Sequence, residues 1–564
     1  MRHLRLIFVT LVCVGAATGG FIACVGDAPV TGGDGGGPDA TSDNNVVPQP
    51  DASVDAPSTD AEAGLGPAPT PDGGLVWLNH YNSNQGFNDL VVNENGSLTY
   101  VVAGSFLTDP NAGNQFHFGS VNLGPAPNVD LFSGAVTGTG TALWGKSAAT
   151  TTNSGTNVDS LTAVAVDSLG NVYAFGSSMS ATVTLKDTLV GPTSFIVKLS
   201  PTGTPLWEHP YTSQSSTVTG PVSLGVSGSS LVVAMTYYTS VTYDTGKTVS
   251  SQGGSDVFVT SLDTNTGSTQ WTESFGSSGN DSVTQIAMTP QGDAILVGPL
   301  MADMSEQDAG FSLPLIGDAG TGTDLYVIKI SASGTPLYGL TYGDPASWVH
   351  ATGVAYRNGT IAIAAGFGGS VDFGKGTLTS TSADGVVFTI DEATKKTNFS
   401  AQLAGTAYDS FTSVAIDPWG EVVATGTYGV YSPAAAQIGS QALPQTSISV
   451  AGMVLAKWNA SGTLLWTHAY VPTLNGGGAP YSTPDAANGQ QSVVGMRVQT
   501  TSTGVIVLTG SMTGGTDFGQ GYQAPLSTIQ TLFKCGGTPT CYLTNTCKYC
   551  PGVPTDGLIG TWSP

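Results

Sequence analysis

Basic residues are scarce in this chain. Only 15 Lys and Arg stand against 39 Asp and Glu in 564 residues, for a net charge of −24. Residues 25 to 76 hold nine of the acids and no Lys or Arg, and residues 77 to 564 still set 30 acids against 13 bases. A surface this acidic repels phosphate backbones, so a nucleic-acid partner is excluded from the expectations. Charged residues of all kinds make up 10% of the chain, too few for long salt-bridged amphipathic helices. Past the first two dozen residues no apolar run reaches 18, so no other segment reads as a membrane-spanning helix. Histidine is sparse at six, and neither His-Glu-x-x-His nor Gly-x-Ser-x-Gly occurs. Little acid-base equipment is left for catalysis.

The N-terminus has a basic start (Arg2, His3, Arg5), an apolar run from Leu6 to Val14, small residues to Gly20, and then Phe21-Ile22-Ala23-Cys24. This is the layout of an export signal, too short to stay in a bilayer as a helix. Its end resembles a bacterial lipobox, with Phe21 where Leu is usual. The resemblance implies residues 1–23 as signal peptide and Cys24 as the lipidated mature N-terminus. Ordinary signal cleavage near Ala16 or Ala17 is the alternative. Residues 24–73, rich in Gly, Pro, Ala and Asp, cannot bury enough apolar surface to offset ordering entropy and read as a disordered acidic tether.

Seventy-seven glycines with 40% hydrophobic residues describe many short buried strands joined by tight turns. An aromatic residue recurs at Trp77, Trp144, Trp207, Trp271, Tyr338, Phe399 and Trp466, at gaps of 67, 63, 64, 67, 61 and 67 residues. A period this regular marks a repeated supersecondary unit. From residue 159 one repeat reads as four strands: a, Leu161 to Val166; b, Val172 to Phe175; c, Phe195 to Leu199; d, Leu206 to Tyr211. Turns a–b (Asp167 to Asn171, Thr289 to Asp293, Asp417 to Glu421) and c–d (Ser200 to Gly203, Ser331 to Gly334, Asn459 to Gly462) carry glycine where a positive φ is needed. Strand b reads as ending in glycine, at Gly104, Gly176, Gly298, Gly366, Gly426 and Gly510.

Together with Asp372-Phe373-Gly374 and Asp517-Phe518-Gly519, these elements resemble the bacterial seven-bladed β-propeller repeat family over residues 74 to 564. The expected fold is all-β: a single propeller of about seven four-stranded antiparallel blades. Its last blade, residues 489–564, lacks a d-strand, whereas residues 74–81 are a d-strand with no a, b or c before them. The two are expected to pair and close the ring, removing two exposed sheet edges.

Asp159, Asp281 and Asp409 each open strand a, in blades two, four and six, and two readings compete for them. They form an acidic ring at the channel rim, contacting a cation or ligand, or each caps its own blade through backbone hydrogen bonds. His80, His209 and His468 lie on separate d-strands and read as structural; His117 and His350 have no ligand motif beside them. Asp263-Thr-Asn-Thr-Gly267 lacks the distal Glu of an EF-hand loop and reads as a turn. No metal site is assigned and no cofactor is expected; calcium is the one cofactor left open. Cys535, Cys541, Cys547 and Cys550 cluster in one loop and read as two disulfides in an exported protein, with a four-thiolate zinc site as the alternative.

No catalytic residue is assigned. Loops b–c and d–a are long and varied (Pro299 to Thr323, Thr427 to Ala451, Val471 to Gln490, Ser511 to Asp556), and those on the opposite face are short. Phe311, Tyr428, Tyr431, Tyr481 and Tyr522 within them read as stacking surfaces for a neutral ligand such as a glycan. The function read from sequence is a non-catalytic, lipid-anchored scaffold of the cell envelope, at the outer membrane or cell surface, monomeric, binding a protein or glycan through the long-loop face. The alternative is a propeller hydrolase or lyase acting on an extracellular polysaccharide.

Overall fold

The structure, a computed structural model, describes residues 75–81, 86–106, 116–124, 129–151, 159–190, 192–212, 220–244, 246–301, 305–306, 322–430, 435–446, 450–471, 491–513, 516–517, 522–523 and 556–563. The chain divides into residues 1–63, none of which is described, and residues 64–564, which hold every described strand. Signal, anchor and tether thus lie outside the described residues, as do Cys535, Cys541, Cys547 and Cys550.

No helix occurs among the described residues, and the main strands pair into seven antiparallel sets of four, with short strands such as Phe116–Phe118 and Ala436–Ile438 in the connections. Unit one is Gly86–Asn93, Thr99–Phe106, Asp130–Thr137 and Ala142–Ser147. Unit two is Asp159–Val166, Val172–Ser178, Thr193–Leu199 and Pro205–Tyr211. Unit three is Val222–Ser227, Ser230–Tyr243, Lys247–Asp263 and Thr269–Gly276. Unit four is Gln285–Met288, Ala294–Leu300, Asp324–Ile330 and Pro336–Tyr342. Unit five is Trp348–Arg357, Thr360–Asp372, Thr377–Asp391 and Lys396–Gly405. Unit six is Tyr408–Ile416, Val422–Val430, Val450–Trp458 and Leu464–Tyr470. Unit seven is Gln491–Thr500, Ile506–Thr513 and Asp556–Trp562, completed by Leu75–Tyr81. That N-terminal strand runs antiparallel to Asp556–Trp562, with Trp77 opposite Thr561 and Tyr81 opposite Gly557. The first strands of successive units touch in order, and those of units seven and one touch each other. The architecture is a β-propeller.

Burial follows position within a unit. Strand c of unit two is buried at all seven positions, because neighbouring units cover both of its faces. Outermost strand d alternates, turning Trp207, His209 and Tyr211 inward and leaving Leu206 and Pro210 exposed.

Strand b continues past its glycine. Gly176 is paired with both Leu161 and Phe195, and the strand runs on to Ser178. A Cβ on Gly176 would meet the side chains of Leu161 and Phe195 at 2.7 Å, so close packing, and not a turn, requires glycine there. In unit five, strands b and c extend as a hairpin whose tip is Asp372-Phe373-Gly374. Phe373 is buried, Asp372 Oδ1 accepts the Gly374 N–H at 2.7 Å, and Gly374 has φ 91°. Of the matching Asp517-Phe518-Gly519, only Asp517 lies among the described residues.

The recurrent aromatic and the c–d glycine are two halves of one inter-unit contact. Trp144 Nε1 donates to Pro201 O of the next unit's turn at 3.0 Å, Trp207 Nε1 to Thr264 O at 3.1 Å, and Trp271 Nε1 to Ala332 O at 2.9 Å. The same rings pack on Gly203, Gly267 and Gly334, where a Cβ would approach them to 2.9, 3.0 and 2.8 Å. Both signatures therefore repeat with one period.

Candidate functional site

Turns a–b and c–d lie at one end of the units, and connections b–c and d–a at the other. At the short-turn end the polar groups are consumed locally. Asp167 Oδ1 accepts the N–H groups of Leu169 and Asn171, and its Oδ2 accepts Asn171 Nδ2 and the Tyr173 hydroxyl. Asp263 Oδ1 accepts the N–H groups of Asn265 and Thr266, closing a turn. A shallow depression lined by Asn358, Asp391, Glu392 and Lys395 also lies at this end.

The channel wall is formed by the first strand of each unit, whose inner N–H groups have no strand to pair with. Side chains of neighbouring units take them up: Asp89 Oδ2 accepts Val164 N–H at 2.8 Å, Ser223 Oγ accepts Ile286 N–H at 3.1 Å, Gln285 Oε1 accepts Val354 N–H at 2.9 Å and Ser413 Oγ accepts Val498 N–H at 3.2 Å. Across the closing seam Arg497 Nε lies 2.8 Å from Asp89 Oδ1, and Gln499 bonds Val92 and Leu90. These channel residues were not singled out from sequence. Their only signal is a polar residue inside an apolar a-strand.

At the long-loop end the structure places Asp159, Asp281 and Asp409 on equivalent positions, each closed off from solvent. Asp159 accepts Met179 N–H (2.9 Å) and Ser180 Oγ (2.7 Å); Asp281 accepts Ser277 N–H (2.7 Å) and Met301 N–H (3.2 Å); Asp409 accepts Gly429 N–H (2.7 Å). Burial pushes the Asp281 carboxyl up. Burial also pushes Asp409 up to about 7, against the Gly429 hydrogen bond and with help from the charge of Asp384. The three are not gathered at one point.

Each instead meets the c-strand of the preceding unit. Asp159 N–H donates to Val129 O at 2.8 Å, Asp281 N–H to Ser255 O at 2.7 Å, and Ala383 forms a parallel bridge with Tyr408. The register sets Asp130, Asp256 and Asp384 beside Asp159, Asp281 and Asp409 at three alternate junctions. Sequence reasoning missed these second acids, since only the parallel contact between units brings each pair together.

Met179, Tyr238, Met301 and Tyr408, from units two, three, four and six, are exposed at this end. Tyr428, read from sequence as a loop residue, is buried: strand b of unit six extends to Val430, pairing Tyr428 with Gly452 and Val430 with Tyr408. It offers no stacking surface. Phe311, Tyr431 and Tyr481 lie outside the described residues, and so do most of the long loops. His209 is buried, its Nδ1 3.0 Å from Gly267 O, and burial lowers its pKa. Among the described residues no three His, Cys, Asp or Glu side chains converge in a metal-binding group.

No family model and no curated protein matches the chain. Among solved structures it is similar to BamB from Moraxella catarrhalis, at 12% identity over 78% of this chain and 96% of that one, with a TM-score of 0.33. It is similar to the phage phi92 endosialidase at 10% identity, 87% and 69% coverage and a TM-score of 0.33. It is also similar to a Synechocystis apocarotenoid oxygenase bearing Glu150Gln, at 11% identity, 78% and 91% coverage and a TM-score of 0.32. Likenesses this distant assign no function, and the propeller rests on the strand pairing itself.

Proposed function

We propose that this protein is an exported, lipid-anchored scaffold of the cell envelope that binds a protein or glycan through the long-loop end of its propeller. The observation that carries the reading is the exposure of Met179, Tyr238, Met301 and Tyr408 at that end. Large apolar and aromatic side chains held at strand ends give rigid contact area at low entropic cost. The short-turn end exposes Leu169 in an a–b turn and Leu143, Leu206 and Leu337 where outer d-strands leave their c–d turns, aliphatic side chains on separate outer edges with no aromatic or Met among them. Anchoring through Cys24 and the acidic tether of residues 24–73 would hold the propeller at a membrane, and disulfides among Cys535, Cys541, Cys547 and Cys550 would pin the last b–c loop at the same end. The rival reading as a polysaccharide hydrolase calls in the usual mechanism for two carboxylates open to one sugar, whereas the adjacent pair Asp384 and Asp409 is buried; as a lyase it calls for an exposed base beside the sugar.

The test is a glycan-array and envelope-extract capture screen with the full mature chain, repeated with the double variant Met301→Asp/Tyr408→Asp and with Leu169→Asp. The reading expects any ligand of the wild type to be lost by the double variant and kept by Leu169→Asp. The reverse pattern would overturn it. For the anchor, Cys24→Ala is expected to abolish lipid labelling and release the protein from membranes; unchanged labelling and fractionation would refute that part.

A further inference from the structure

The carboxylates that open strand a in units two, four and six repeat one position, yet they are not equally satisfied. Both oxygens of Asp159 and both of Asp281 accept hydrogen bonds. Asp409 is 0% exposed, and its Oδ2 accepts none. Gly429 N–H serves Asp409 as Met179 N–H serves Asp159, so Val430 stands where unit two has Ser180, whose hydroxyl fills the second oxygen.

The surroundings add oxygen and no base. The parallel bridge of Ala383 with Tyr408 puts Asp384, also buried, beside Asp409. Gly405 N–H donates to Asp384 Oδ1 at 3.3 Å, and a Cβ on Gly405 would lie 1.9 Å from Asp409 Oδ2 and 3.5 Å from Ala435 O. The two carboxylates and that carbonyl therefore converge on one glycine. The buried Tyr428 hydroxyl, which also has no hydrogen-bond partner, feels the Asp409 charge from the same unit. Among the described residues neither acid has an ion-pair partner, and the other polar contacts to Asp384 are Gln402 Nε2 and the Ser380 hydroxyl. Two adjacent buried carboxylates without a counter-charge are costly in the interior.

We propose that Asp384, Asp409 and the Ala435 carbonyl bind a divalent cation of the calcium type at the junction of units five and six. The donor set is all oxygen, which suits a hard cation that completes its shell with water and accepts irregular geometry. Ala435 precedes Ala436–Ile438, a strand of the b–c connection of unit six that pairs with the last residues of Lys396–Gly405. A bound cation would thus tie that connection and two units together at the end read above as the binding end.

The experiment uses the full mature chain, stripped with a chelator and titrated with CaCl2 by calorimetry and thermal melting. One saturable site is expected, with the melting temperature raised by roughly 3 °C or more at saturation. Asp409→Asn and Asp384→Asn are each expected to weaken binding at least about tenfold, and Asp263→Asn, in an exposed turn, to leave it unchanged. Should either junction variant fail to fold, terbium luminescence sensitised by tyrosine in the wild type, and its loss in Tyr428→Phe, decides the matter. No heat and no thermal shift in the wild type overturns the proposal. So does wild-type affinity in a folded Asp409→Asn, or an Asp409→Asn that melts higher while calcium has no effect on the wild type, since Asp409 would then hold a proton in place of a metal.

Discussion

Units two, four and six differ from units one, three and five at one buried place. Opposite the recurrent aromatic of strand d, strand c carries Lys198, Lys329 and Lys457 in the even units, and Ala135, Ser261 and Thr389 in the odd ones. The even lysines reach carboxylates of their own a–b turns: Lys198 lies 4.0 Å from Asp167, Lys329 2.9 Å from Asp293, and Lys457 2.8 Å from both Asp417 and Glu421. Two of them also enter the c–d turn of the following odd unit, Lys198 Nζ donating to Thr264 O at 2.8 Å and Lys329 Nζ to Glu392. Units two and four thus supply a buried cation that the c–d turn of the following odd unit receives, while Lys457 of unit six is held by its own a–b turn. The acid pairs Asp130/Asp159, Asp256/Asp281 and Asp384/Asp409 follow the same alternation at the other end. The chain repeats in pairs of units, and ionic groups in a charge-poor protein are concentrated where neighbouring units must be held in register.

The largest contrast is expected from the charge itself. Lys457→Met leaves Asp417 and Glu421 in a buried site without a counter-charge and should cost about 3–5 kcal/mol in denaturant unfolding. Lys198→Met should cost less, about 1–3 kcal/mol, because Asp167 keeps its four other donors. Thr389→Val, in an odd unit, removes a buried hydroxyl that has no partner and should change stability by less than about 1 kcal/mol in either direction. Equal losses for all three would break the distinction between even and odd units.

A smaller effect sharpens the comparison at the aromatic. Trp207→Phe loses the hydrogen bond to Thr264 O and should cost about 1–1.5 kcal/mol, whereas Trp466 Nε1 has no acceptor among the described residues and Trp466→Phe should cost less. Unit five already carries Phe399 at this position, packed on Gly462. Chemical denaturation of both variants checks the order, and a larger loss at Trp466 would contradict it.

The smallest effect is the pH response of His209. Burial holds its folded-state pKa below the unfolded value, so the stability it contributes is present above the unfolded value and is lost as pH falls through the window beneath it. The raised carboxyls of Asp281 and Asp409 act in the opposite sense in wild type and variant alike, so the check is the difference: between about pH 7.5 and 5 the melting temperature of His209→Gln relative to the wild type should rise as pH falls. An unchanged slope in the variant would remove His209 from the account.

Much of this fold is legible in the sequence because its signals are local. The a–b turn at Asp167 to Asn171 announces itself by an aspartate that bonds its own turn and a glycine at φ 79°. The unpaired d-strand at residues 74–81 is legible because every other aromatic has its own a, b and c before it. The site was less legible, for a physical reason. Asp384 lies within a c-strand and Asp409 opens an a-strand, and only the ring geometry sets them side by side. Tyr428 looked like a loop residue because Gly426 reads as a strand end, yet the ladder runs on to Val430. The lysine that distinguishes even units was visible in the sequence as a residue type, but its buried position follows from pairing on both sides.

The central claim is a ring closed by its own chain ends, and truncation tests it most directly. Removing residues 75–81 deprives Asp556–Trp562 of its outer partner and exposes an edge, so the account predicts a large drop in melting temperature and loss of a single cooperative transition. Removing residues 25–70 should leave the melt unchanged. Equal melting temperatures for the two truncations would contradict the closed ring.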